Sequence, residues 1–87
     1  MNTLREVGAE VARLRKSHGM TQAELARLSG LGQSTLARFE TGGVTEFGSR
    51  KLLRLLEVMG FGLAFMETNQ EFTLDDALEQ RRRKAAG

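Results

Sequence analysis

The residues of this chain whose types and spacing could do chemistry lie in one short stretch, Gln33-Ser34-Thr35 followed by Arg38. On a helix that turns Leu36 and Phe39 inward, these four share the outer side. They offer hydrogen bonds and one positive charge rather than bond-making groups. A glutamine amide can meet adenine through two hydrogen bonds, an arginine can reach guanine or a phosphate, and the short Ser34 and Thr35 hydroxyls suit sugar, phosphate or a thymine methyl. Catalytic patterns are missing elsewhere. His18 is the single histidine and, beside Gly19, reads as a helix-end residue; no two acids share a helical pocket and no glycine-rich phosphate loop occurs. With no cysteine there is neither a disulfide nor a thiolate metal site. An enzyme, a cofactor and a metal are therefore not expected.

The elements that must position these residues are two short helices and a tight turn. Thr21 caps the first, Glu24 answers three residues later, Leu25 and Leu28 recur at helical spacing, and Ser29-Gly30 ends it. Leu31 and Gly32 lead into the second. Ala26 sits one turn before Gly30, and a small side chain there lets the second helix cross close over the first. In physical terms this is a helix-turn-helix.

The pattern T-Q-A-E-L-A-x-x-x-G, then Q-S-T-L-x-x-F-E-x-G, resembles the phage repressor and Cro (XRE) class of helix-turn-helix proteins over residues 4 to about 59. Gly32 is a departure, because many relatives carry Ser or Thr there; glycine can occupy an N-cap but offers no hydroxyl to the helix or to a phosphate. The resemblance implies a recognition helix in the major groove of double-stranded DNA, reading bases with Gln33, Ser34, Thr35 and Arg38. It implies that Gln22 meets a phosphate, that amides of the loop at 41–44, Gly43 among them, do likewise, and that Thr21 and Thr45 line the same strand. It also implies an ion pair between Arg15 and Glu40, a bidentate bond tying the first helix to the end of the recognition helix.

Eighty-seven residues allow one domain, here residues 1–60, and a chain this short buries only ~60% of its unfolded surface, so help from a second subunit is expected. The net charge is +2. Residues 1–66 carry nine bases against six acids, a mildly basic balance that permits nucleic-acid binding without establishing it. No uncharged apolar run opens the chain and none approaches the ~18 residues of a membrane span, so a cytoplasmic protein is expected. With no Pro, no Ile and abundant Leu, the composition favours helices.

The first helix is read from residue 2 or 3 to 17, with a Thr3–Glu6 capping box and a buried stripe of Leu4, Val7, Val11 and Leu14. Gly8 interrupts it, at either a close helix contact or a tolerant surface position. A fourth helix is read from a Thr45 cap to Met59, with Phe47, Leu52, Leu55, Leu56 and Met59 inward. Arg50 and Lys51 fall in its first turns, where a cation is unfavourable unless an anion sits nearby, which adds them to the phosphate contacts.

After Gly60 the period changes to two: Phe61, Leu63 and Phe65 alternate with Gly62 and Ala64. One strand cannot satisfy its own ladder, so residues 61–68 are expected to pair with the same strand of a second copy, with Phe61, Leu63 and Phe65 at the dimer contact. A repressor motif followed by such a strand is similar to the HipB-type antitoxins. The fold expected is thus all-α, a four-helix repressor-like domain plus one C-terminal β-strand paired across a dimer. The tail at 69–87 reads first as a solvated tail; the alternatives are a short helix, for which Thr73 and Asp76 suit a cap ahead of the bases at 81–84, and a segment that folds on a partner. The function implied is a sequence-specific transcriptional repressor of a palindromic operator, acting as a homodimer and as the antitoxin that autoregulates its operon beside a toxin protein. The alternatives are a module whose main role is neutralising a partner protein, and a repressor with no toxin partner.

Overall fold

Thr3, Thr21, Gly32 and Gly48 begin the four helices of residues 3–68: α1 (Leu4–Ser17), α2 (Gln22–Ser29), α3 (Gln33–Glu40) and α4 (Ser49–Met59). The computed structural model describes residues 3–68 together with Leu78 and Arg81, both helical and exposed. Thr3 accepts the Glu6 N–H at 3.1 Å, and Thr21 with Glu24 closes a complete capping box. Gly32 and Gly48 make no side-chain cap. Each helix then stops at a glycine in the left-handed region, Gly19, Gly30, Gly42 or Gly60.

The core is built from Val11, Leu25, Ala26, Leu36, Phe39, Leu55 and Met59. Leu4, Val7, Leu14 and Leu52 are half-buried against it, which fills out the expected stripe of α1; on α4, Val58 rather than Leu56 joins Leu52 against this core. α1 packs on α3 and α4, and α2 on the same two helices. Gly8 is buried, and a Cβ there would overlap the Phe39 carbonyl oxygen, so of the two readings of this glycine the close helix contact holds. Leu28 departs from the periodic reading. It is exposed, and α2 buries Leu25 with Ala26 instead, because a helix of eight residues crossing closely over its neighbour needs a small side chain at the crossing more than a third leucine.

The fourth helix starts three residues later than the Thr45 cap would place it. Phe47 lies before it and stacks on Phe39, with ring centroids 3.9 Å apart and 7° between planes. Holding that ring on the core keeps residues 44–48 out of helical geometry; the aromatic contact outweighs one further helical turn. Thr45 is accordingly an exposed loop residue. Residues 61–68 carry no regular secondary structure, and among the described residues there is no strand. The proposed cap at Thr73–Asp76 and the bases at 82–84 lie outside the described residues.

Candidate nucleic-acid interface

The inward pair Leu36 and Phe39, both fully buried, fixes the rotation of α3 and thereby turns Gln33, Ser34 and Arg38 to the exterior, with Thr35 half-buried at the margin. Gln33, Ser34 and Arg38 make no side-chain hydrogen bond or ion pair with any described residue. Their donors and acceptors are therefore available to a ligand. The N-terminal amides of α3 are likewise uncovered by any side chain, since Gly32 supplies none, and a helix N-terminus of this kind favours an anion.

What holds α3 in place is a buried polar cluster at its last residue. Arg15 reaches across from α1 and donates from Nε to Glu40 Oε2 at 2.8 Å and from Nη2 to Oε1 at 2.9 Å. Its remaining terminal nitrogen donates to the Met20 carbonyl at 2.8 Å, while Gln22 Nε2 donates to Glu40 Oε1 at 3.0 Å. Both charged side chains are almost fully buried, at 8% and 2% exposure, so each depends on the other for compensation. The hydrogen bonds it donates to Glu40 raise the Arg15 pKa above the ordinary arginine value, against the opposing effect of burial and with help from through-space attraction. The Arg15–Glu40 pair thus joins α1, the α1–α2 turn, α2 and α3. No buried side-chain nitrogen or oxygen among the described residues lacks a partner.

The residues proposed for phosphates are distributed around this unit. Gln22 begins α2 and is oriented by Glu40; a primary amide has two N–H groups, so one remains for a phosphate. The Thr21 hydroxyl is engaged with Glu24 in the capping box. Arg50 and Lys51 occupy the first turn of α4, exposed and without a carboxylate among the described residues, and the Lys51 stem runs alongside Gly48. Arg13, Arg15 and Arg54, by contrast, each hold a glutamate.

The loop after α3 differs from expectation in one respect. The Gly42 N–H donates to the Phe39 carbonyl at 3.2 Å and the Gly43 N–H to the Arg38 carbonyl at 2.8 Å, which is the hydrogen-bond pattern that closes a helix on a left-handed glycine. The Gly43 amide is committed inside the protein, and the cost of leaving α3 carbonyls bare is the reason. The Gly42 and Gly43 amides are thus not free donors at this turn. Ser17 and His18, adjacent in sequence, turn to separate partners, the Leu14 carbonyl and the Met59 carbonyl, and do not form a nucleophile and base.

Beyond α4, Phe61 is anchored. Its N–H donates to the Leu56 carbonyl at 2.7 Å and its ring stacks on His18 with centroids 5.8 Å apart. Leu63 is more than half exposed and Phe65 fully so. The segment borders an open cavity of about 500 Å³ whose opposite walls include Val7, Val11 and Leu14 of α1 and Leu52 and Leu56 of α4.

Among the described residues no helix is long and apolar enough to cross a membrane. No curated protein matches the chain. The family model described as helix-turn-helix matches residues 11–66, from the middle of α1 through the motif to the segment after α4. That span covers well over half of the 87 residues and includes the packed core, the exposed polar face of α3 and the Arg15–Glu40 cluster. The chain belongs to the XRE family of helix-turn-helix proteins, DNA-binding regulators.

Proposed function

We propose that the protein is a homodimeric transcriptional repressor of a palindromic operator, and that it is an antitoxin regulating its own operon. The observation that carries the repressor reading is the face of α3: a rigidly oriented row of polar side chains without internal partners, flanked by the unpaired cations of the α4 N-terminus. Gln33 and Arg38 read bases, Ser34 and Thr35 touch sugar, phosphate or thymine methyl, and Gln22, Arg50 and Lys51 fix the register on phosphates, with Thr21, Gly43 and Thr45 near the same strand. An eight-residue helix covers few base pairs, so a second copy related by a two-fold axis is needed for tight, specific binding.

The segment at 61–68 supports the dimer and, with it, the antitoxin reading. It alternates large and small apolar residues, leaves Leu63 and Phe65 bare, and follows a helix that ends cleanly at Gly60. In a second copy the same segment could pair its backbone and cover both side chains. Such a repressor works in the cytoplasm and needs no cofactor.

Selection of bound duplexes from a random pool tests the reading. Recovery of an inverted repeat with half-sites about one helical turn apart, ~34 Å, is expected. An unstructured or single half-site consensus counts against the dimer, and no enrichment at all counts against sequence-specific binding. For the antitoxin part, the product of the neighbouring gene should arrest growth when produced alone and copurify with this protein when produced together; a harmless neighbour that does not associate removes that part alone.

A further inference from the structure

We infer that Arg5, on the first helix, forms a phosphate-binding site with the turn that follows α3, adding a contact to the DNA footprint from outside the helix-turn-helix. The inference rests on the DNA reading of α3. Arg5 is exposed and holds no carboxylate or other partner among the described residues. Its side chain is nevertheless not splayed into solvent. The Cγ, Cδ and Nε atoms lie 2.8, 3.2 and 3.3 Å from where a Cβ on Gly42 would stand, so the stem lies along the backbone of the turn in space that only a glycine leaves open. Gly42 is in the left-handed region, with φ +81°, which independently favours glycine there.

At the next residue, the Cα and Cβ of Arg38 stand 3.9 and 3.8 Å from the corresponding position on Gly43. The Arg5 stem and the base of the Arg38 side chain therefore both lie against the Gly42-Gly43 backbone. The amides of Gly42 and Gly43 are spent on the Phe39 and Arg38 carbonyls, so beside these two glycines the donors for an anion come from side chains. A guanidinium presents up to five N–H groups and keeps its charge at all relevant pH, which matches a phosphodiester oxygen pair. Absence of a partner does not by itself mark the site, because Lys16 and Arg27 share it. The distinguishing feature of Arg5 is its placement across the turn that ends the recognition helix.

The experiment is a salt titration of affinity for a random-sequence duplex, using the full chain, Arg5→Gln, Arg5→Lys, Arg13→Gln and Lys51→Gln. Arg13 lies on the same helix but is held by Glu10, and serves as the control for general charge loss. Arg5→Gln should weaken binding several-fold and lower the slope of log affinity against log salt by about one unit, the effect of one lost phosphate contact. Arg5→Lys should retain the parent slope, and Arg13→Gln should leave it unchanged. An Arg5→Gln slope equal to that of the parent, or equal losses for Arg5→Gln and Arg13→Gln, overturns the site while leaving DNA binding intact. A parent that binds no duplex overturns both this site and the DNA reading.

Discussion

Gly8 of α1 lies against the backbone of Phe39 so closely that a methyl group on its Cα would overlap the Phe39 carbonyl oxygen. The contact sets the distance between α1 and the C-terminal end of α3, and so the depth at which the Arg15–Glu40 pair is buried beside it. In an open helix position, glycine to alanine stabilises by roughly 1 kcal/mol. Here the neighbour is backbone and cannot rotate away. Gly8→Ala should therefore destabilise, by ~1–3 kcal/mol, as helices are forced apart. A thermal melt decides the sign; a higher Tm for the variant would mean that α1 shifts at no cost.

The buried pair Arg15 and Glu40 leads to a second expectation. Glu40→Ala leaves a guanidinium in the interior with only the Met20 carbonyl for company and also releases Gln22. A loss of about 3–5 kcal/mol follows, large enough to unfold a domain of this size. Replacing both residues by apolar side chains, Arg15→Met with Glu40→Leu, removes the uncompensated charge and should recover most of the stability. If denaturant titration finds the double variant no better than Glu40→Ala, the pair contributes more than charge compensation. Because the folded-state pKa of Arg15 is raised, its stabilising effect is complete below the ordinary arginine value and is lost only as pH rises through the higher folded value. The arginine side of the pair thus adds no pH dependence near neutrality.

Much of this arrangement is legible in the sequence, for reasons that can be assigned. Capping at Thr21–Glu24 is local chemistry three residues apart, and the glycine stops need only a left-handed residue after an apolar period. Arg15 with Glu40 came from resemblance; nothing in spacing alone joins residues 25 apart. The start of α4 was not legible because Phe47 has the same hydropathy whether it sits on a helix or stacks from a loop onto Phe39. Leu28 is the converse case: its periodicity is helical, but the burial in α2 goes to Leu25 and to Ala26, a residue with little hydropathic signal. The course of Arg5 along Gly42 depends on what crosses the end of α3, which no pattern along the chain encodes.

Base reading and phosphate positioning separate experimentally. Gln33→Ala should cost ~1–3 kcal/mol on the selected operator and relax preference at one base pair, while affinity for random duplex changes little. Lys51→Gln should weaken both alike and lower the salt slope by about one unit. Competition binding with operator and random duplex distinguishes the two. Equal losses on both duplexes for Gln33→Ala would reassign Gln33 to the backbone, and an unchanged slope would remove Lys51 from the footprint.

In the proposed repressor, operator recognition depends on the dimer. Phe65 is fully exposed and Leu63 more than half, yet the adjoining Phe61 is tied back to Leu56 and His18, so the segment leaves the domain at a fixed point. A bare apolar run beginning at a fixed anchor is suited to pairing with its own copy, where backbone ladder and side-chain burial arrive together. Phe65→Glu should then shift the protein to monomer, since two carboxylates would be brought together in an apolar contact, while the helices keep their circular dichroism because Phe65 is outside their core. Operator affinity should fall with the dimer, whereas weak binding to random duplex through α3 and its flanking cations persists. Sedimentation of parent and variant, run beside operator binding, measures both effects. A parent that stays monomeric at high concentration sinks the strand-mediated dimer; a dimeric Phe65→Glu variant moves the interface away from residues 61–68 and keeps the palindrome.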